Sequence, residues 1–302
     1  MANNDDPMIA VPAIGALVAA LAWLAQVPTA YAQSTVADAT PQVRVDVPPP
    51  ADSNGSSSSS AAALAEKLQN PIGDLISVPF QNNTNFNVGP YAGTQDILNI
   101  QPVIPIHLNE DWNVITRTIL PLVWTPSFQP AQSAPFGLGA TAFSAFLSPS
   151  QVTNGWLWGV GPIVQLPTIT SKTLGSNVWG VGPTFVVVRT DSPWVYGMLV
   201  NNVFSLGGTS GRGGTSYSVI TINPFVNYNF GGGWFVGTTP IMTANWNIGG
   251  NKWTLPVGGQ FGRLIKVGGK LPVNLLLGAY YNALRPRGAG TWQLRTQITI
   301  IF

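Results

Sequence analysis

Residues 290–302 read G-T-W-Q-L-R-T-Q-I-T-I-I-F, and their alternation decides the fold. Trp292, Leu294, Ile298, Ile300 and Phe302 share one face, while Gln293, Arg295, Gln297 and Thr299 share the other. Period 2 with one greasy and one wet side is the pattern of a strand. Thr296 is a polar exception on the greasy face and Ile301 an apolar exception on the wet one. Eleven segments upstream repeat this plan, at 78–91, 95–107, 111–125, 137–148, 155–167, 178–189, 193–205, 215–229, 232–246, 252–265 and 269–283. In 111–125, Trp112, Val114, Thr116, Thr118 and Leu120 oppose Asn113, Ile115, Arg117 and Ile119. The fourth and ninth segments alternate least clearly. The expectation is an all-β, transmembrane antiparallel β-barrel of about 12 strands; 10 or 14 would need one hairpin read differently.

Composition points the same way. Charged residues make up 8% of the 302, against about 25% in a soluble domain. Beyond the front segment no run of 20 apolar residues occurs, which excludes a helical membrane protein. There is no Cys, hence no disulfide framework or thiolate chemistry.

The front is organised separately. Residues 9–27 are mostly apolar, and Ala30-Tyr31-Ala32 offers a small-x-small cleavage site before Gln33, so 1–32 read as a secretory signal peptide. Asn3, Asn4, Asp5 and Asp6 stand where a signal carries Lys or Arg. The alternatives are a retained membrane anchor, a weak signal or a mis-chosen start codon. Residues 33–69 form a Pro- and Ser-rich disordered linker with a short helix candidate at 61–68, and 70–302 form the barrel.

With the C-terminus taken as periplasmic, the outward loops (92–94, 126–136, 168–177, 206–214, 247–251, 284–289) are mostly longer than the inward turns, as in outer-membrane barrels. Trp112, Trp156, Trp194 and Trp234 fall at periplasmic strand starts, and Trp124, Trp179, Trp246, Trp253 and Trp292 near outer ends. Two belts of amphipathic rings suit two membrane interfaces. Against this stand Pro102, Pro105, Pro162, Pro183, Pro224, Pro240 and Pro256, each removing a ladder donor inside a strand.

The last stretch resembles the terminal strand of bacterial outer-membrane β-barrels, which ends in Phe and is read by the barrel assembly machinery; Ile298, Ile300 and Phe302 match. A closer resemblance rests on Asn70-Pro71-Ile72-Gly73-Asp74-Leu75-Ile76-Ser77-Val78-Pro79-Phe80, on Leu98 to Pro105 (L-N-I-Q-P-V-I-P), on Leu108-Asn109-Glu110-Asp111-Trp112-Asn113, and on Trp156-Leu157-Trp158-Gly159-Val160-Gly161-Pro162 with its echo Trp179-Gly180-Val181-Gly182-Pro183. These stretches are similar to a proteobacterial outer-membrane β-barrel family of transporters, often labelled as linked to a phenol degradation pathway. The resemblance covers about residues 70–302 and says little about substrate.

Little in the chain invites catalysis. His107 is the single histidine, and nearby Glu110 and Asp111 sit in a tight turn. The Gly-rich stretch 207–214 lacks the G-K-[ST] ending and following helix of a phosphate loop. No aromatic-basic interleaving suggests nucleic acid. The reading therefore includes no catalytic residue, cofactor or metal. It includes lumen-lining candidates: Arg117, Arg295, Gln293, Gln297, Tyr280 and Asn274. Charged side chains facing lipid near the midplane cost about 2–4 kcal/mol, so strand phase turns Arg117 and Arg295 inward. From Ile72 to Phe302, eleven bases stand against five acids, a difference of +6. The expected function is a monomeric outer-membrane channel or transporter for small solutes, anionic or aromatic ones among them. The other classes are a membrane-embedded lipid-modifying enzyme and a structural barrel without transport. Expected partners are outer-membrane lipids and lipopolysaccharide at the rims, the assembly machinery at the last strand, and a small solute.

Overall fold

A computed structural model describes residues 64–129, 133–207 and 216–302. The expected signal peptide, 1–32, and residues 33–63 of the expected linker lie outside them. Twelve strands follow one another: β1 (Ser77–Val88), β2 (Gly93–Ile100 and Val103–His107), β3 (Trp112–Trp124), β4 (Phe136–Leu138 and Thr141–Pro149), β5 (Trp156–Leu166) and β6 (Gly180–Asp191). Then come β7 (Trp194–Ser205), β8 (Ser218–Asn229), β9 (Trp234–Thr238 and Met242–Asn245), β10 (Trp253–Val267), β11 (Leu271–Leu284) and β12 (Trp292–Ile301). Each pairs antiparallel with the next. β12 pairs with β1 from Ser77–Ile301 to Phe86–Trp292, so the sheet closes and no edge is left.

The prolines are accommodated where the ladder lapses. Pro102 and Pro240 sit in the interruptions of β2 and β9. Pro256 sits at the register shift between β10 and β11. Pro224 faces the β9 interruption, where β8 is paired only through Val219–Ile222 and Val226–Asn229; there Asn223 Nδ2 donates to Pro240 O at 2.8 Å. Pro105 lies past the last β1–β2 pair, Ser77–Val103. Pro162 and Pro183 fall in gaps of the β4–β5 and β6–β7 ladders. Gly161 marks the first of these gaps. A Cβ there would stand 1.8 Å from Ala145 O, so only glycine allows the two backbones this approach.

Outward residues form the apolar band a bilayer requires, including Phe143, Leu147, Val160, Phe185, Val236, Val257, Phe261, Leu275 and Leu277. Exposed tryptophans border it. Trp156, Trp194 and Trp234 lie at the end with the short turns, and Trp179, Trp246 and Trp292 at the other. At the short-turn end, the Arg189 and Arg263 guanidiniums lie 5.3 and 4.8 Å from the ring centres of Trp156 and Trp234.

The inward faces differ around the circumference. From β3 to β8, Ile115, Phe146, Leu157, Val186, Val188, Val195, Leu199 and Phe225 form one buried apolar cluster. A second, of Ile163, Val203 and Tyr217, lies further along β5 and β7. From β8 around through β12 to β2, the inward face carries Asn227, Gln260, Asn274, Arg295, Thr299, Gln81, Asn83 and Gln101.

Candidate functional site

The site begins with a segment that is not a strand. Residues 64–68 are helical, and the chain then turns into the barrel before β1 starts. Asn70 Oδ1 accepts from Ile72 N at 3.0 Å, fixing that turn, and a Cβ on Gly73 would stand 2.8 Å from Lys67 O. Ile72 is 2% exposed, at the heart of the apolar cluster with Ile115, Phe146 and Phe225. Gln69 and Asn229 exchange amide hydrogen bonds of 2.6 and 3.2 Å. Ser192 Oγ donates to Glu66 Oε1 at 2.8 Å. Ala65 is buried against Leu264 and Ile301. Residues 64–69, expected as the end of a linker, thus pack on the barrel: Ala65 and the following Ile72 are apolar anchors, and the Gln69–Asn229 amide pair and the Ser192–Glu66 bond hold the segment.

This segment floors a cavity of about 250 Å³, lined by Lys67–Pro71, Leu75, Asn99, Gln101, Arg117, Asn274, Arg295, Gln297 and Thr299, with Ile119, Phe225, Phe235, Ile241 and Leu276 on its apolar side. Four of the six sequence-derived candidates therefore line it: Arg117, Arg295, Gln297 and Asn274. The other two adjoin Arg295. Tyr280 is fully buried; its hydroxyl donates to Gln260 Oε1 at 2.9 Å and accepts from Thr239 N at 3.1 Å. The Arg295 guanidinium lies 4.8 Å from the Tyr280 ring centre. Gln293 Oε1 accepts from Arg295 Nη2 at 3.2 Å, and Gln293 Nε2 donates to Asn85. Strand phase gave the direction of these two side chains, but not that Tyr280 is covered by its neighbours or that Gln293, half-buried, is taken up by Arg295 and Asn85.

The two arginines are held differently. Arg295 is 2% exposed and donates from Nε to Asn83 Oδ1 (3.1 Å) and from Nη1 to Thr239 O (2.8 Å), besides Gln293. Arg117 donates from Nη2 to Gln101 Oε1 and has no other partner among the described residues. No acid lines the cavity. Asp96 points to the outer face of β2, where Thr84 Oγ1 donates to it at 2.6 Å and Asn82 Nδ2 at 3.1 Å. His107 pairs with Asp74 at 3.1 Å on the rim, both well exposed, tying β2 to the floor segment. Among the described residues no three His, Cys, Asp or Glu side chains gather as a metal site would require.

The sequence reading missed Gln101, Asn83, Gln260 and Thr239. The same alternation that pointed to Gln293 and Gln297 would have found Asn83 and Gln101, one and two strands away. It missed the floor as well, for which only the Asn70-Pro71-Ile72-Gly73 turn gives a signal.

No family model matches the chain, and no curated protein sequence does. Among solved structures, it is similar to an outer-membrane channel from Pseudomonas putida F1, with 13% identity over 77% of this chain and 96% of that one and a TM-score of 0.57. A NanC porin (8% identity, 75% and 98% covered) and a Salmonella typhi outer-membrane phospholipase (14%, 81% and 98%) superpose less well, with TM-scores of 0.48 and 0.37. At these identities the likeness speaks to fold alone, and nothing in it bears on a phenol pathway. The closed twelve-stranded sheet, the apolar band and the two aromatic girdles are those of a barrel in the bacterial outer membrane.

Proposed function

We propose that the protein is a non-enzymatic outer-membrane channel or transporter for small solutes that favours anions. The observation that carries this reading is the charge of the cavity. Two guanidiniums and, at its floor, the exposed Lys67 line it, and no carboxylate among the described residues does. Low-dielectric walls focus the field of lining charges, so two cations there outweigh many at a screened rim. The P. putida channel that shares this fold supports the class but not the solute. Because residues 64–74 floor the cavity, passage requires that segment to shift aside.

The test is the reversal potential across a salt gradient in planar bilayers, for wild type and for Arg117→Ala with Arg295→Ala. Anion selectivity that falls in the double variant is expected. Cation selectivity or an unchanged double variant would each overturn the anion preference; no conductance at any voltage would remove the open channel and return the choice to a gated transporter or a structural barrel. The same proposal gives β12 to the assembly machinery, so Phe302→Ala should lower the outer-membrane yield without changing folding of purified protein into detergent. Unchanged yield would remove that part.

A further inference from the structure

Arg117 has donors to spare. A guanidinium carries five N–H groups, and among the described residues this one uses a single hydrogen bond, to Gln101. Arg295 by contrast is engaged at all three nitrogens. A second unpaired group lies in the same cavity. Asn274 is 7% exposed, and its Oδ1 has no hydrogen-bond partner. Asn274 pairs across the sheet with Thr299 and Thr299 with Pro79, whose carbonyl accepts from Gln101 N at 2.9 Å. The unpaired amide and the Arg117 partner therefore lie at one level of the sheet but with β12 and β1 between them, about 14 Å apart along the wall, so they are two separate polar points of the cavity. The terminal amide torsion is soft and two-fold, so Asn274 can turn either its oxygen or its NH2 to a solute.

Part of the cavity wall is apolar. Ile119, Phe225, Phe235, Ile241 and Leu276 line it too. A dry cavity of about 150 Å³ accepts benzene, so 250 Å³ leaves room for a six-carbon body and one small anionic head.

We propose that the cavity is a binding site for small amphipathic monocarboxylates, with the carboxylate on the free donors of Arg117 and the hydrocarbon against the apolar lining, Ile119 and Phe225 among it. Planar guanidinium matches carboxylate in a two-pronged pair. A wholly polar anion would leave the apolar wall uncovered, and a neutral alcohol would leave the guanidinium donors unpaired. This inference names a solute class for the anion-favouring reading and rests on it.

The experiment is thermal unfolding of the purified full chain in detergent, titrated with hexanoate, gluconate and 1-hexanol. Hexanoate should raise the midpoint saturably, and the other two should need about tenfold higher concentration or more, the loss expected from one charge-assisted contact or its equivalent in apolar area. Arg117→Gln should abolish the hexanoate response. Ile119→Trp, which fills the apolar side and leaves both arginines in place, should abolish it as well and decides the matter where the first variant does not fold. An equal response to gluconate, an equal response to 1-hexanol, or a response kept in the folded variants would overturn the site. The bilayer measurement stands apart: hexanoate binding without conductance removes the channel and leaves the site, and conductance without binding does the reverse.

Discussion

Two halves of one lumen are built to different rules. From β3 to β8 the inward side chains are Ile, Phe, Leu and Val, and Ile72 from the floor segment completes them into a core like that of a soluble domain. From β8 through β12 to β2 the inward face is mixed: Asn, Gln, Thr, Tyr and Arg bond sideways into a wall with a hollow in front, with Phe235, Leu264 and Leu276 set among them. The apolar half holds its shape by exclusion of water. The polar half holds its shape by saturating donors and acceptors, as around Arg295, and leaves a few unsaturated, as at Arg117 and Asn274. The lesson is that the barrel seats its floor on apolar contacts on both sides, Ile72 in the packed half and Ala65 against Leu264 and Ile301, and offers chemistry only in the polar half.

Substitutions can break that division, and they rank by what they remove. Phe146→Ala, deep in the packed half at 1% exposure, should cost about 3–5 kcal/mol in denaturant unfolding from detergent, since it empties a core position. Ile72→Ala should cost about 2–5 kcal/mol by the same cavity argument. Its effect should fall on the floor segment, seen as faster proteolysis before Ser77 with the strands still protected. In the polar half, Arg295→Gln should cost about 1–3 kcal/mol because it strands Asn83 and Thr239. Arg117→Gln, with one bond to lose, should cost less than Arg295→Gln in the same assay; the opposite order would contradict the unequal roles given to the two arginines. The smallest effect belongs to the rim. Asp74→Asn breaks an exposed pair with His107, worth about 0–1 kcal/mol, and should leave the midpoint nearly unchanged.

The sequence made the strands legible because lipid enforces alternation on the outer face, as Trp156, Trp158 and Val160 show on β5. The alternation fades at β4 and β9 because both strands are interrupted, at 139–140 and 239–241. It fades again where both faces are apolar: in Phe185-Val186-Val187-Val188 of β6, lipid faces one side and the packed core the other. Alternation therefore finds strands better than it finds the nature of the lumen. The inward phase of Arg117, Asn274, Arg295 and Gln297 could be read, since a charge or amide on one phase leaves few alternatives. That Tyr280 would stand behind Arg295 could not, because its depth depends on Thr239 and Gln260 of β9 and β10. The prolines spoke against strands only until their positions in the ladder were known. The floor has no periodicity to read, since it is held by Ala65, Ile72 and a few amides.

The division of the lumen can be measured without any assumption about transport, because the chain contains no cysteine. Single variants Asn274→Cys and Gln297→Cys place a thiol in the polar half, and Val186→Cys and Leu199→Cys place one in the packed half. The measurement is the labelling rate of each by a small anionic thiol reagent on the folded barrel in detergent. Fast labelling at positions 274 and 297, with positions 186 and 199 protected until unfolding, is the predicted result; equal rates in both halves, or faster labelling in the apolar one, would contradict the account.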